Sequence, residues 1–365
     1  MLDGDILIIG GYGTVGRVIA LALANKFPGQ VIVAGRNYEK ARALAQESSE
    51  KMRPRQVDLT TAHENPEILD SVAVVVVCLD VPDMQFVRQC LQRGVHYVDI
   101  TAEDAILQQI EALNGVAKVS GSTAVLSVGL SPGLTNLLAC HAQAQFEALH
   151  HVDIHGLLGL GEAHGAAAAR WTLQNLNANY TVRENGRTRR VSSFGEHKQA
   201  GFPDGLGQRR VYRFNLADQH VLTRTLNLTS VSTWITFDPV LFARLMAFMH
   251  RSGLSKLLRY RWVEDAIIKM STAMQFGSEK FAVQVEARGD KDGRVQTETY
   301  TITGDGQGRA TALVAAQTVE QLLAGAFPSG AFHSEQLFEP LPFIHRLAAD
   351  GIIYHESARP DEGSS

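Results

Sequence analysis

The stretch ILIIGGYGTVGRVIA, residues 6–20, narrows the folds open to this chain more than any other. An apolar run ends in glycine, and Gly11, Gly13 and Gly16 follow in a G-x-G-x-x-G frame. Val15, Val18, Ile19, Ala22 and Leu23 then recur with helical spacing. Strand, glycine turn and helix in this order describe a dinucleotide-binding unit. Gly11 permits the tight turn, Gly13 lets a pyrophosphate approach the backbone, and Gly16 lets the helix lie close on the strand. The N–H groups near Thr14 and Val15, at the positive end of the helix dipole, would meet the phosphates.

The second strand indicates which dinucleotide. QVIVAGRN (30–37) ends without the Asp or Glu that usually holds an NAD ribose diol. Arg36 stands there instead, where a guanidinium can grip a 2′-phosphate bidentately, and Asn37 can add a hydrogen bond. NADP(H) is the expected cofactor. Asp58, closing the strand RQVDL, has two readings: it accepts from the adenine amino group, or it caps a helix.

The first third continues as alternating strands and helices. SVAVVVVCL (71–79) is apolar throughout, as a parallel strand covered on both faces must be. HYVDI (96–100) and TAVLSVG (123–129) follow, with helices near 83–93 and 102–114. Six strands with intervening helices give an α/β fold: a doubly wound, parallel Rossmann sheet over residues 1–130. After about residue 147 the pattern changes. NG at 185–186 signals a hairpin, RRVYRFN, VLTRTLN and VSTWITF read as strands, and KFAVQVEARG with QTETYTITG makes a second hairpin. Residues 131–309 are therefore expected to form an α+β substrate-binding and dimerisation domain with a mostly antiparallel sheet. A long helix over 309–325 begins a segment, 310–365, expected to pack back on the first domain.

A net charge of −4 carries no bulk basic excess, so neither nucleic acid nor a membrane is an expected partner. The basic runs at 185–193 and 207–214 read as solvated strand faces. No apolar run approaches the roughly 20 residues of a membrane helix, and the chain enters a strand at once, so a cytoplasmic location is expected. Three scattered cysteines suggest reduced thiols, and no cluster has metal-ligand spacing. No tyrosine has a lysine four places on, and neither G-x-x-x-x-G-K nor H-E-x-x-H occurs. Hydride transfer to or from a small organic substrate remains.

Two later strand ends carry a family resemblance. GVHYVDITAED supplies Gly94, Tyr97, Val98, Asp99, Thr101 and Glu103; GLSPGLTN runs from Gly129 to Asn136; EQLFEPLPFIHRLAADGI closes the pattern at 335–352. These phrases resemble the saccharopine dehydrogenase family of NADP-dependent reductases. The resemblance implies that the glycine loop and Arg36 hold NADP and that Leu79 and Asp80 line the nicotinamide side. It implies further that the Thr101–Asp104 turn and the Ser131–Thr135 loop face a substrate cleft. Many such enzymes reduce an imine of an amine with an oxo-acid.

One departure matters. The family's loop often carries aspartate where this chain has Ser131, and its tyrosine in the preceding turn is Ala102 here. A hydroxyl cannot carry a carboxylate's charge, so either a smaller or less cationic substrate or a shifted acid, such as Glu103, Asp104 or Glu162, is needed. Glu162 and His164, in GLGEAHGAAAARW, are candidate acid–base residues beside Ser131; the plainer reading makes Glu162 a helix cap and His164 a surface residue. Three functions stay open: a C=N reductase, a C=C or C=O reductase, and a non-catalytic NADP sensor. A homodimer is expected.

Overall fold

Apolar runs bounded by glycine or polar turns become parallel strands: β1 (Asp5–Ile9), β2 (Val31–Gly35), β3 (Met52–Gln56), β4 (Val72–Val77), β5 (His96–Asp99) and β6 (Thr123–Leu126). The structure is a computed structural model describing residues 4–162, 166–261, 263, 265, 267 and 277–359. Its contacts divide the chain into two units, 1–129 with 311–338, and 130–310 with 339–365.

The first unit is the doubly wound sheet, with a seventh strand, β15 (Gly330–His333), added at the β6 edge. The order is β15-β6-β5-β4-β1-β2-β3, parallel throughout. Helices α1 (Thr14–Lys26), α2 (Tyr38–Glu47), α3 (Gln85–Gln92), α4 (Asp104–Glu111) and α5 (Asn114–Ser120) fill the crossovers. The run expected as one helix over 102–114 therefore ends at α4, and α5 begins at Asn114. Its side chain accepts from the Ala331 amide at 3.0 Å, tying α5 to the seventh strand. Strand order reverses between β1 and β4, so the connections from these strands leave in opposite directions and open a crevice at their carboxyl ends.

The second unit holds β7 (Ala148–Gly159), β8 (Asn179–Glu184), β9 (Arg187–Ser192), β10 (His197–Phe202), β11 (Gly207–Arg213), β12 (Val231–Asp238), β13 (Lys280–Lys291), β14 (Arg294–Asp305) and β16 (Ile353–Arg359). Strands pair as β10-β11-β12-β7-β13-β14-β16, with β8 joining β12 and β9. Every pair is antiparallel except β7 with β12. Both expected hairpins form. Asn185 and Gly186, at φ 49° and 73°, make one turn; Asp292 and Gly293, at 52° and 71°, make the other.

Two readings are corrected. VLTRTLN is not a strand: its first five residues lie in α8 (Ala217–Thr225), where Ala217, Asp218, Val221 and Leu222 are buried at helical spacing. The C-terminal segment also divides. Residues 339–365 belong with the second unit, where β16 pairs with β14 from Ile353 to Arg359. Helices α6 (Leu134–Gln143), α7 (Ala166–Asn175), α9 (Val240–Ser252) and α10 (Gln307–Ala324) complete the elements used below.

A buried ion network organises the second sheet. Arg213, 3% exposed, pairs with Glu184 and Glu196, donates to Ser232 at 3.1 Å, and lies 4.4 Å over the Trp234 ring. Trp234 donates to Asp153 at 2.8 Å. Burial pushes the Asp153 carboxyl up, but the His151 hydrogen bond and the Lys198 charge outweigh it and hold it well below the usual carboxylate range. Removing Arg213 takes away the buried cation and leaves Glu184 and Glu196 paired with the more exposed Arg189 alone. Arg213→Ala should destabilise the protein by about 2–4 kcal/mol, the partners being partly solvated, as read from chemical denaturation. An unchanged midpoint would show that the network is dispensable.

Candidate active site

The glycine loop follows β1 directly into α1. Gly10 has φ +79°, and a β-carbon there would meet the Leu79 side chain at 2.7 Å. One at Gly11 would strike Val33 at 2.7 Å. At Gly16 it would lie against the Gly10 carbonyl and 2.9 Å from the Gly11 α-carbon. Gly13 differs: only the Gly10 carbonyl oxygen is near, at 3.1 Å, and the residue is exposed. The loop is thus closed toward the sheet and open toward solvent at Gly13.

Gly13 is also the N-cap of α1, with no side-chain cap and no acidic residue in the first turn. Thr14 and Val15 begin the helix, so its leading N–H groups and positive dipole end meet whatever binds there. These features fit a dinucleotide pyrophosphate.

Around this loop the other strand ends gather. Tyr12 roofs Gly35, where a β-carbon would fall 2.6 Å from the ring, and its hydroxyl accepts from the Asn37 amide at 3.0 Å. Arg36 is exposed, with its carbonyl accepting from Gln56. The Asn37 side-chain oxygen accepts from the Lys40 amide at 3.0 Å and caps α2. Asp58 closes a short turn, accepting from the Thr60 amide at 3.0 Å and its hydroxyl at 2.8 Å. Those bonds, with the nearby Arg36 charge, hold the Asp58 carboxyl below its ordinary range. Beyond β4, Leu79 and Asp80 are exposed.

Sequence reasoning gave Asp99 no role of its own, although it ends β5 on this edge. It is fully buried, takes the Tyr97 hydroxyl at 2.6 Å, and accepts from the Thr101 amide at 2.7 Å. Asp99 therefore sets the backbone turn that carries Thr101. Burial pushes its carboxyl up to about 6, against both hydrogen bonds. At the end of β6, Ser127 takes φ +53°, and its hydroxyl lies 2.7 Å from His333 Nδ1. The far ring nitrogen of His333 meets Glu111 at 2.9 Å.

The proposed cofactor residues Gly11, Gly13, Thr14, Val15, Gly16, Arg36, Asn37, Asp58, Leu79, Asp80 and Thr101 all lie in loops or helix starts at the carboxyl edge of this one sheet. The three candidate catalytic residues belong to the second unit. His164 lies outside the described residues. Glu162 accepts from the amides of Gly308 at 3.0 Å and Arg309 at 3.3 Å, capping the start of α10. Ser131, in the string GLSPG, donates its hydroxyl to Asp218. The string has the spacing of a hydrolase nucleophile turn, but the hydroxyl meets a carboxylate rather than an imidazole.

Asp218 is the residue sequence reasoning missed. It is fully buried, and its carboxylate accepts from Ser131, from Thr135 at 3.1 Å, from Thr233 at 2.7 Å and from the Gln219 amide at 2.8 Å. The loop before α6 thus has a negative charge directly behind it. Among the described residues, no three His, Cys, Asp or Glu side chains cluster to hold a metal ion, and no helix is long and apolar enough to cross a membrane.

Residues 6–125 match the family described as the saccharopine dehydrogenase NADP binding domain. Over that third of its length the chain is similar to this family. The chain thus carries an NADP-binding domain, which supports an oxidoreductase. The whole fold is similar to that of an apo, histidine-tagged saccharopine dehydrogenase (L-Glu forming) from Saccharomyces cerevisiae. That likeness has 15% identity and a TM-score of 0.69, over 98% of this chain and 100% of that one. A C. glutamicum DAP dehydrogenase in complex with DAP aligns at 16% identity and a TM-score of 0.46, over 96% of this chain and 99% of that one. A sequence search of curated proteins returns no match.

The Asp99 shift has a pH consequence. The folded state holds this proton more tightly than the unfolded chain, where the carboxyl returns to 3.8. Stability therefore falls as pH rises from about 4 to about 6 and levels off above. Asp99→Asn, which cannot ionise, should be more stable than the parent above pH 6, with the advantage shrinking toward pH 4. Denaturation of both proteins across that range tests this, and a difference independent of pH would contradict it.

Proposed function

We propose that this chain is an NADPH-dependent reductase of a C=N bond formed between an amine and an oxo-acid, or catalyses the reverse dehydrogenation. The observation that carries this reading is the Ser131–Asp218 pair. The family's usual loop aspartate is missing at 131, yet a buried carboxylate stands one hydrogen bond behind the serine.

The glycine loop would hold NADPH, which would supply the hydride, and the residues of this chain supply the electrostatics. Arg36 is the proposed 2′-phosphate ligand, exposed at the end of a strand that carries no acid. Ser131 donates its hydroxyl hydrogen bond to Asp218, so its oxygen lone pairs are left to accept from an N–H. Such an acceptor, backed by a buried negative charge, favours the protonated imine over the neutral one. When hydride reaches the imine carbon, the C=N electron pair moves to nitrogen and the product is a secondary amine. In reverse, the ammonium form first loses a proton to water, and the nitrogen lone pair then closes the C=N bond as hydride leaves carbon, giving the protonated imine. Thr135 and Thr233 fix the carboxylate so that it needs no reorganisation during the change of charge.

Incubating the protein with NADPH and pairs of amines and oxo-acids tests the reading through loss of nicotinamide absorbance. Turnover should require both partners. Oxidation of NADPH by ketones or enones without an amine would favour C=O or C=C reduction; binding without turnover would favour a sensor. In the active pair, Ser131→Ala should lower kcat by about 10–100-fold with NADPH affinity unchanged. Full turnover in that variant would remove Ser131 from the chemistry.

A further inference from the structure

Helix α9 turns an apolar stripe outward. Its inner face is ordinary, with Ala243 and Met246 buried. Leu241, Leu245 and Phe248, spaced i, i+4 and i+7, are 75%, 49% and 60% exposed. The next turn, Leu254–Arg259, adds exposed Leu254 and Leu257, and Tyr260 follows. Six of the eleven large hydrophobic side chains left exposed among the described residues fall in these 20 positions, which sets the segment apart from scattered surface leucines.

Charge distinguishes the same segment. Residues 239–263 contain Arg244, Arg251, Lys256, Arg259 and Arg261 and no Asp or Glu, in a chain whose net charge is −4. Arg244 and Arg251 are exposed, and at 100° per residue both fall on one flank of the Leu241–Leu245–Phe248 stripe. The net charge of the whole chain conceals this local excess.

We propose that α9 and the turn after it form a peripheral docking surface for an anionic phospholipid bilayer. Leucine, phenylalanine and tyrosine side chains enter the boundary between headgroups and acyl chains, while the flanking arginines meet lipid phosphates. The protein lies on the bilayer and does not span it. A second copy of the chain suits this face poorly. A two-fold contact through the stripe would set the exposed Arg244 and Arg251 of one copy near the same pair of the other, with no acid among residues 239–263 to pair them.

Flotation of the full-length protein with vesicles tests the proposal. Phosphatidylcholine vesicles containing phosphatidylglycerol should carry the protein upward, phosphatidylcholine alone should not, and added salt should weaken the binding. Leu245→Glu with Phe248→Glu should reduce binding about tenfold or more, and Arg244→Glu with Arg251→Glu should also reduce it. NADPH binding by both variants checks that they remain folded. Failure of the parent protein to float, or flotation of either double variant equal to the parent's, would overturn the proposal. So would sedimentation showing a parent dimer that Leu245→Glu with Phe248→Glu converts to monomer, since the face would then belong to a second copy.

Discussion

The contact between residue 16 and the backbone of residues 10 and 11 is the constraint on which the nucleotide site rests. A hydrogen at position 16, in place of a β-carbon, lets α1 start almost on top of the end of β1. That closeness puts the uncapped first turn of α1 at the point where strand order reverses. Leu79, from the other side of the reversal, packs where a Gly10 side chain would be. Two strands, one helix and one leucine thereby shape a cradle that is open to solvent at Gly13 and Thr14. The phosphate chemistry follows from this packing, because the binding groups are backbone amides with fixed directions.

Features carried by neighbours in sequence were legible beforehand. The glycine frame, the all-apolar fourth strand and the Asn185-Gly186 turn each state their conformation locally. Features set by distant partners were not. Asp218 lies 87 positions from Ser131, and its significance exists only once α8 stands beside the loop before α6. The same gap hid the seventh strand, a four-residue run given meaning by β6 and Asn114. VLTRTLN misled because its alternating residues satisfy a strand pattern, while burial of Val221 and Leu222 together fits a helix. The carboxylate sought near position 162 was present as a residue but committed to amides at the start of α10.

Three buried aspartates show how placement sets the use of one side chain. Asp99 meets two neutral donors and no cation at its β5 position, so burial wins and its proton is held tightly. Asp153 has Lys198 and His151 against it, and its charge is secured. Asp218 has four neutral donors and lends its charge to the loop through Ser131. The first two organise structure within their own sheets. The third stands beside the loop that the family resemblance associates with substrate, and so it anchors the proposed chemistry.

The account stands on a phosphorylated dinucleotide held between the first turn of α1 and Arg36. Isothermal titration of the protein and its Arg36→Ala variant with NADPH and with NADH measures this directly. NADPH should bind the parent more tightly than NADH, and the variant should lose most of that preference while keeping its affinity for NADH. Equal affinity of the parent for both nucleotides, or an equal loss for both on substitution, would contradict it.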